Sequence, residues 1–487
     1  MRILFVDIDT LRPDHMGCYG YGRNTTPAMD KVAEEGVVFD RYYTPNAPCL
    51  PARAALVSGQ YGIHNGVVGH GGTAGDMRIE GYPRGFKDSF SQTSLFTTFK
   101  KAGFRTASVS SFAERHSAWW FHAGIDETYN LEKSGNETAD AVCDAAVDWI
   151  TRHAEKDQWM LHVHFWDPHT PYRSPMEYGK PFEKEDLPDP WITPEIFAEH
   201  LQHVGPHCAR EINMFDDASN PDLPRHPGAV LTMEEMKEFM DNYDTGIRYA
   251  DDHVGKIIDL LKEKGIYEDT AIIITSDHGE NIGELGLYAE HGTADEITCR
   301  IPMIIKWPGK ASGVRNGAFH QNIDLAPTIA EAFGIAPAER WDGESYFAAL
   351  EGEEVGRDHV ILNQCAHVCQ RSARWDKYLY IRSPHTGYHM FPDEMLFDLE
   401  ADPHETNNIA EENPVLCAIG AKKIQDFEYE MMSNSESATD PMWVVMREGG
   451  PFHSRGFLKD YLVRLRETGR AEGADWLEKR YPHEIDL

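Results

Sequence analysis

Apolar and polar positions follow two rhythms along this chain. Ile3–Asp9 is a continuous apolar run that turns acidic at its end. That is the profile of a strand buried on both faces, with its chemistry at the carboxyl edge. Trp159–Trp166 (WMLHVHFW), Ala271–Ser276 (AIIITS) and Met303–Trp307 read as further buried strands. Elsewhere the period lengthens. Met236, Met240, Tyr243, Ile247, Ala250, Val254, Ile257 and Leu261 recur at three and four, which predicts a long helix over Met233–Lys264 closed by Gly265. Thr26-Pro27 starts an earlier helix that Gly36 stops, a second follows Pro51, and others cover Ser94–Ala102 and Leu325–Phe333.

Strands alternating with helices predict an α/β fold: a large, mostly parallel sheet sandwiched by helices, over residues 1–356. After about Arg357 the pattern changes to short strands (Lys377–Ile381, Glu394–Leu399) and a late helix. This predicts a smaller C-terminal α+β subdomain with a helical tail over 357–487. Residues 167–230 are rich in Pro, His and Asp and lack periodicity, so they are expected to form a lid or substrate-binding insertion.

Composition narrows the function. The 487 residues carry 46 Lys+Arg against 80 Asp+Glu, a formal charge of −34, which argues against nucleic acid as a partner. A small anionic substrate is still compatible, because a local cationic pocket or a metal overrides the global field. No apolar run reaches the length of a membrane span, and MRILFVDID has no signal-peptide order, so a cytoplasmic location is expected. Eight scattered Cys are expected to be reduced thiols.

The candidate chemistry gathers in three places. Cys49, in Pro48-Cys49-Leu50-Pro51-Ala52-Arg53, falls at a helix N-terminus where peptide N–H groups favour an anion, with Arg53 one turn on along the same face. Asp7 and Asp9 share one face of the first strand and need a cation or a basic partner. Asp277-His278 ends another strand at the same sheet edge. Carboxylates with an imidazole suit a divalent cation, Ca²⁺ first, with Mg²⁺ or Mn²⁺ as alternatives.

These residues carry a family resemblance. DTLRPDHMGCYGYGRNTTPAMDKVAEEGVVF, CLPAR with ALVSGQY, ITSDHGENIGELG, IPMIIKWPG, IDLAPTIAEAFG and LFDLEADPHETNNIA together resemble the type I sulfatases of the alkaline-phosphatase superfamily, over most of the chain. The resemblance implies an alkaline-phosphatase-like fold, hydrolysis of a sulfate ester, and conversion of Cys49 to formylglycine by a separate maturation enzyme. It implies Asp9, Asp277 and His278 as metal ligands; Thr10 stands at the family's second Asp position, and Asp7, on the same strand face as Asp9, is expected to supply the missing carboxylate. Arg53 is then the stabiliser of sulfate and nucleophile, and His169 the general acid or a sulfate donor.

Two departures stand out. Ser110-Ser111-Phe112-Ala113 lacks the family's Lys and His, and Glu290 stands where a Lys is common, so His116 and His291 are expected as substitutes. The substrate expected is a small sulfated saccharide or an aryl or alkyl sulfate, with His203, His207, His226, Arg210 and Arg225 of the insertion suited to recognising it. A phosphonate monoester or phosphodiester hydrolase of the same superfamily is the nearest alternative, and an inactive anion- or sugar-binding homologue is a third. The aromatics Trp443, Phe452, Phe457, Tyr461 and Trp476 could pack on their own domain or in a homodimer, which leaves the oligomeric state open.

Overall fold

The computed structural model describes residues 1–78 and 88–486. Its large sheet has eight strands in the order Val314–Gln321, Val37–Tyr43, Met303–Lys306, Thr270–Thr275, Arg2–Ile8, Trp159–Phe165, Arg105–Val109 and Glu127–Tyr129. Arg2–Ile8 lies at the centre and runs parallel to both neighbours. Met303–Lys306 is antiparallel to the strands on either side of it.

Alternation along the central strand feeds two cores. Leu4, Val6 and Ile8 pack with the helices Pro27–Glu34, Ala139–His153 and Met233–Glu263. Ile3 and Phe5 face the other way, toward Cys49–Ser58, Leu95–Lys101 and Leu325–Ala332. Each fully buried Val, Leu, Ile or Phe contributes roughly 1.5–3 kcal/mol, so helices on both faces are what such strands require. The predicted strand and helix boundaries agree to within a residue or two, except that the second helix begins at Cys49 rather than after Pro51 and the strand expected at Lys377–Ile381 spans Tyr378–His385.

A second sheet has the order Glu394–Asp398, Tyr378–His385, Cys369–Trp375, His359–Gln364 and Asn46–Ala47. The first four are antiparallel neighbours, and Asn46–Ala47 joins parallel to His359–Gln364, pairing Asn46 with Asn363 and Ala47 with Gln364. The C-terminal sheet thus grips the chain two residues before Cys49. Among the described residues, no helix is long and apolar enough to cross a membrane.

The insertion holds one α-helix, Pro194–His200, and is built into the body of the protein. Its Glu211 is buried against Arg464 and Arg470 of the C-terminal helical region and accepts from Tyr461 Oη at 2.9 Å. Tyr461 is therefore an internal packing residue, whereas Trp443, Phe452 and Phe457 are exposed.

Candidate active site

Strand alternation puts the acidic and imidazole side chains on one face. Residues 3, 5, 7 and 9 point toward the Cys49 helix, as do Met160, His162, His164 and Trp166 of the neighbouring strand. The register sets Phe5 beside His162 and Asp7 beside His164. Asp277 follows the end of Thr270–Thr275 on the other side. The carboxyl ends of three parallel strands therefore converge beneath one helix N-terminus.

The helix Cys49–Ser58 is buried over its whole length and ends at Gly59, whose φ of 67° allows the N–H to reach Ala55 O. Arg53, fully buried, projects from it into the acidic face. Its Nε donates to Asp7 Oδ2 at 2.9 Å, Nη1 to Asp9 Oδ2 at 3.2 Å and to Asp277 Oδ2, and Nη2 to His164 Nε2 at 2.7 Å. His164 Nδ1 is then free to donate to Ser110 Oγ, 3.0 Å away. Burial, reinforced by Arg53, lowers the His164 pKa, consistent with a neutral ring.

Three buried carboxylates around one guanidinium leave two negative charges uncompensated. Burial raises Asp9, but Arg53 and the surrounding imidazoles overcome it and hold this carboxyl well below the usual range. Burial pushes Asp277 well up and repulsion from Asp9 and Asp7 adds to it, against the pull of Arg53. Such a set takes up either a proton or a second cation.

The donor set fits a divalent metal. One ligand atom each from Asp9, Cys49, Asp277 and His278 lies within 4.8 Å of the others, all of them buried. Asp9 Oδ1 has no hydrogen-bond partner among the described residues, and neither has Thr10 Oγ1 beside it. His278 Nδ1 donates to Gly279 O at 2.8 Å, which leaves the Nε2 lone pair facing Cys49 Sγ at 3.1 Å and Asp277 Oδ2 at 3.2 Å. Thr10 holds a left-handed backbone, φ 58°, unusual for a β-branched residue, and its N–H donates to Asp277 Oδ1 at 3.3 Å. Asp7 lies outside this group of four. Its Oδ2 meets Arg53 Nε and lies 3.5 Å from His162 Nε2, while its Oδ1, like that of Asp9, has no hydrogen-bond partner among the described residues.

Imidazoles line the rest. His169 Nε2 is 3.8 Å from Cys49 Sγ and 3.9 Å from Asp9 Oδ1. The His291 ring lies 4.2 Å from that of His278 and 5.3 Å from that of His169. Its Nε2 meets Glu290 Oε1 at 3.0 Å while Nδ1 has no partner among the described residues. His116 stands further out, its ring 5.2 Å from His70, and burial brings its pKa down to about 3. Arg115 covers the Trp166 ring at 5.1 Å. The structure thus brings together Asp9, Cys49, Arg53, His169, Asp277, His278 and His291, sets Asp7 behind Arg53, and leaves His116 at the edge.

The insertion differs from expectation. Arg210 donates to Leu201 O at 2.6 Å, and Arg225 to Ser174 O at 2.8 Å and Pro175 O at 3.0 Å, so both arginines tie backbone together instead of facing the site. His164 and Ser110 are residues of the site that the sequence reading passed over. The signal was present in His162 and His164, two apart in a strand and so on one face.

Residues 2–335 match the sulfatase family. The chain belongs to the sulfatase family. Its members are sulfuric ester hydrolases, and residues 283–426 also match the N-sulphoglucosamine sulphohydrolase C-terminal region. This sulfatase is 29% identical over 426 residues to the choline-sulfatase of Rhizobium meliloti (strain 1021), covering 80% of this chain and 78% of that one. Its fold resembles the phosphonate monoester hydrolase of Agrobacterium radiobacter, with TM-score 0.70, 21% identity, and 88% and 96% of the two chains covered. It equally resembles a protein solved with its substrate D-glucosamine-2-N,6-O-disulfate, with TM-score 0.70, 18% identity, and 90% and 99% covered. The large, mostly parallel sheet flanked by helices and the smaller C-terminal sheet are the architecture these structures share.

Proposed function

We propose that this sulfatase hydrolyses a small sulfate ester, a sulfated mono- or disaccharide or an aryl or alkyl sulfate, with residue 49 acting as formylglycine beside a divalent cation. The observation that carries this reading is the position of Cys49, at the first turn of a buried helix and within reach of Asp9, Asp277, His278 and Arg53. Burial, then Asp9 and Asp277, push its thiol well above the ordinary range, so an unmodified Cys49 is a neutral and poor nucleophile. Hydrated formylglycine supplies a gem-diol, one hydroxyl to attack sulfur and a second to expel sulfate as the aldehyde re-forms.

Asp9, Asp277 and His278 would hold the cation, Ca²⁺ first with Mg²⁺ or Mn²⁺ as alternatives, and it would supply charge stabilisation. Arg53 holds the carboxylates in place and presents positive charge to the nonbridging oxygens. His169, whose pKa burial depresses, meets the leaving oxygen as a proton donor once substrate supplies a negative charge beside it. His291 takes the place of one of the missing lysines, and His116, at the edge of the site with its pKa brought down to about 3 by burial, offers a neutral ring in place of the other. The names of the choline-sulfatase relative and the disulfated glucosamine neighbour support a small substrate. The maturation enzyme is the partner this reading requires.

Phosphonate monoester hydrolysis is the second reading: Ala52 and the Asp277-His278 pair are compatible with either ester, and a phosphonate monoester hydrolase shares the fold. The test is mass spectrometry of the peptide containing residue 49 after co-expression with a maturation enzyme. It is followed by kcat/KM on aryl sulfate, phosphodiester and phosphonate monoester. An aldehyde at 49 with sulfate preferred is the expected result. An unmodified Cys sinks the mechanism, and a phosphonate preference favours the second reading.

A further inference from the structure

Behind His291 lies a second buried group of metal-ligating side chains that the sulfate chemistry does not use. Three separate stretches of chain meet there: His207 from the insertion, Glu290 at the end of the strand Tyr288–Glu290, and His367 in the turn between His359–Gln364 and Cys369–Trp375. His207 Nε2 is 3.1 Å from Glu290 Oε2, and His367 Nε2 is 3.4 Å from Glu290 Oε1. One donor atom from each lies within 4.8 Å of the others. Their exposures are 8%, 6% and 5% for His207, Glu290 and His367.

The tautomer of His207 makes the contact informative. Its Nδ1 lies 2.8 Å from Ile212 O, a carbonyl that can only accept, and 3.3 Å from Met214 N, and the shorter contact assigns the hydrogen to Nδ1. Nε2 then presents a lone pair to a carboxylate oxygen, and it has no hydrogen-bond partner among the described residues. Two acceptors facing each other in a buried space repel unless the ring takes up a second proton or a cation lies between them. Zn²⁺ bonds of about 2.0–2.1 Å in a tetrahedron put neighbouring donor atoms about 3.3–3.4 Å apart, and each imidazole lies near that separation from one of the two oxygens of Glu290. The Nδ1–H bonded to a backbone carbonyl is also how metal-bound histidines are oriented.

We propose that His207, Glu290 and His367 form a second cation site, for a divalent transition metal with imidazole affinity such as Zn²⁺. Two imidazoles and one carboxylate select such an ion over Ca²⁺, which takes oxygen ligands. His291 connects this site to the first: its Nε2 lies 3.0 Å from Glu290 Oε1, and its ring lies 4.2 Å from that of His278, tilted by 40°. The ion fastens the insertion to the C-terminal sheet and places positive charge one imidazole away from residue 49. This site does not depend on the chemistry assigned to Cys49.

The experiment uses the full chain carrying Cys49→Ser and Asp9→Asn, which disables the first group of ligands. The chelator-stripped protein is loaded with Zn²⁺ and dialysed, and zinc is counted by mass spectrometry. One zinc per chain is expected, falling at least tenfold in occupancy at fixed free zinc in His207→Gln and in His367→Gln. Circular dichroism checks that each variant is folded. Co²⁺ in place of zinc gives a second readout, a visible absorption band lost in the same variants. No zinc retained by the parent, as for an imidazolium–carboxylate pair alone, overturns the proposal. So does zinc retained equally by both folded variants.

Discussion

Arg53 Nε donates to Asp7 Oδ2 over 2.9 Å, both groups buried, so the inner carboxylate of the central strand is held by the helix that carries the nucleophile position. The same guanidinium reaches Asp9 and Asp277. Removing one partner of a buried ion pair costs about 3–5 kcal/mol because charge is left uncompensated. Arg53→Met is expected to lose stability of that order in chemical denaturation, and kcat/KM to fall about 10²–10³-fold. Arg53→Lys retains the charge but not the fork, and falls between. Adding Asp7→Asn to Arg53→Met should recover part of the stability, since one uncompensated charge goes. A double variant no more stable than the single would refute the coupling.

The imbalance of charge around Arg53 makes stability depend on a divalent cation. Chelation should lower the melting temperature and abolish hydrolysis, and Ca²⁺, Mg²⁺ or Mn²⁺ should restore both. At a thousandfold excess over Kd, linkage amounts to about 4 kcal/mol. Asp9→Asn should remove the dependence of melting on Ca²⁺, Mg²⁺ or Mn²⁺, because Asp9 Oδ1 is a buried acceptor with no partner among the described residues. A wild-type melting temperature indifferent to chelator would contradict this.

What the sequence disclosed and what it withheld divide along physical lines. Buried strands and the long Met233–Glu263 helix were legible because their periodicity is local. Cys49, Asp9, Asp277 and His278 were legible because each sits at an element end within a motif, and Arg53 because it follows Cys49 by one helical turn in the same motif. The pairing of Asn46–Ala47 with His359–Gln364 was not, since nothing in either segment encodes a partner more than three hundred residues away. Asp7 could be placed on the correct face, but whether it met a metal or an arginine depended on Arg53 arriving from another element. The insertion read only as a lid or substrate-binding segment because its lack of periodicity hides how Glu211 is locked by Arg470 and Arg464.

His169 Nε2, 3.8 Å from Cys49 Sγ, is placed to protonate a leaving oxygen. If it does, the cost of His169→Gln depends on the leaving group. Loss of about 10²–10⁴-fold in kcat is expected for an alkyl or sugar sulfate, whose alkoxide needs a proton. An aryl sulfate with an acidic phenol should lose far less. Equal losses on both substrates would assign His169 to sulfate binding instead.

Far from the site, Asp251 makes a prediction about pH. Its carboxylate accepts from Ala28 N and Met29 N, each at 2.9 Å, at the start of the helix Pro27–Glu34. Burial nevertheless pushes its pKa up to about 7, the two backbone bonds only partly opposing it. The folded protein therefore holds this proton more tightly than the unfolded chain, whose Asp titrates near 3.9. The contribution to stability is full below about pH 4 and is lost as pH rises through about 7, at most about 4 kcal/mol in all. Asp251→Asn cannot titrate, so the wild-type minus variant difference in unfolding free energy should decline between pH 4 and 7. Denaturant titrations across that range measure it. A flat difference would mean that the two helix N–H bonds keep Asp251 ionised throughout.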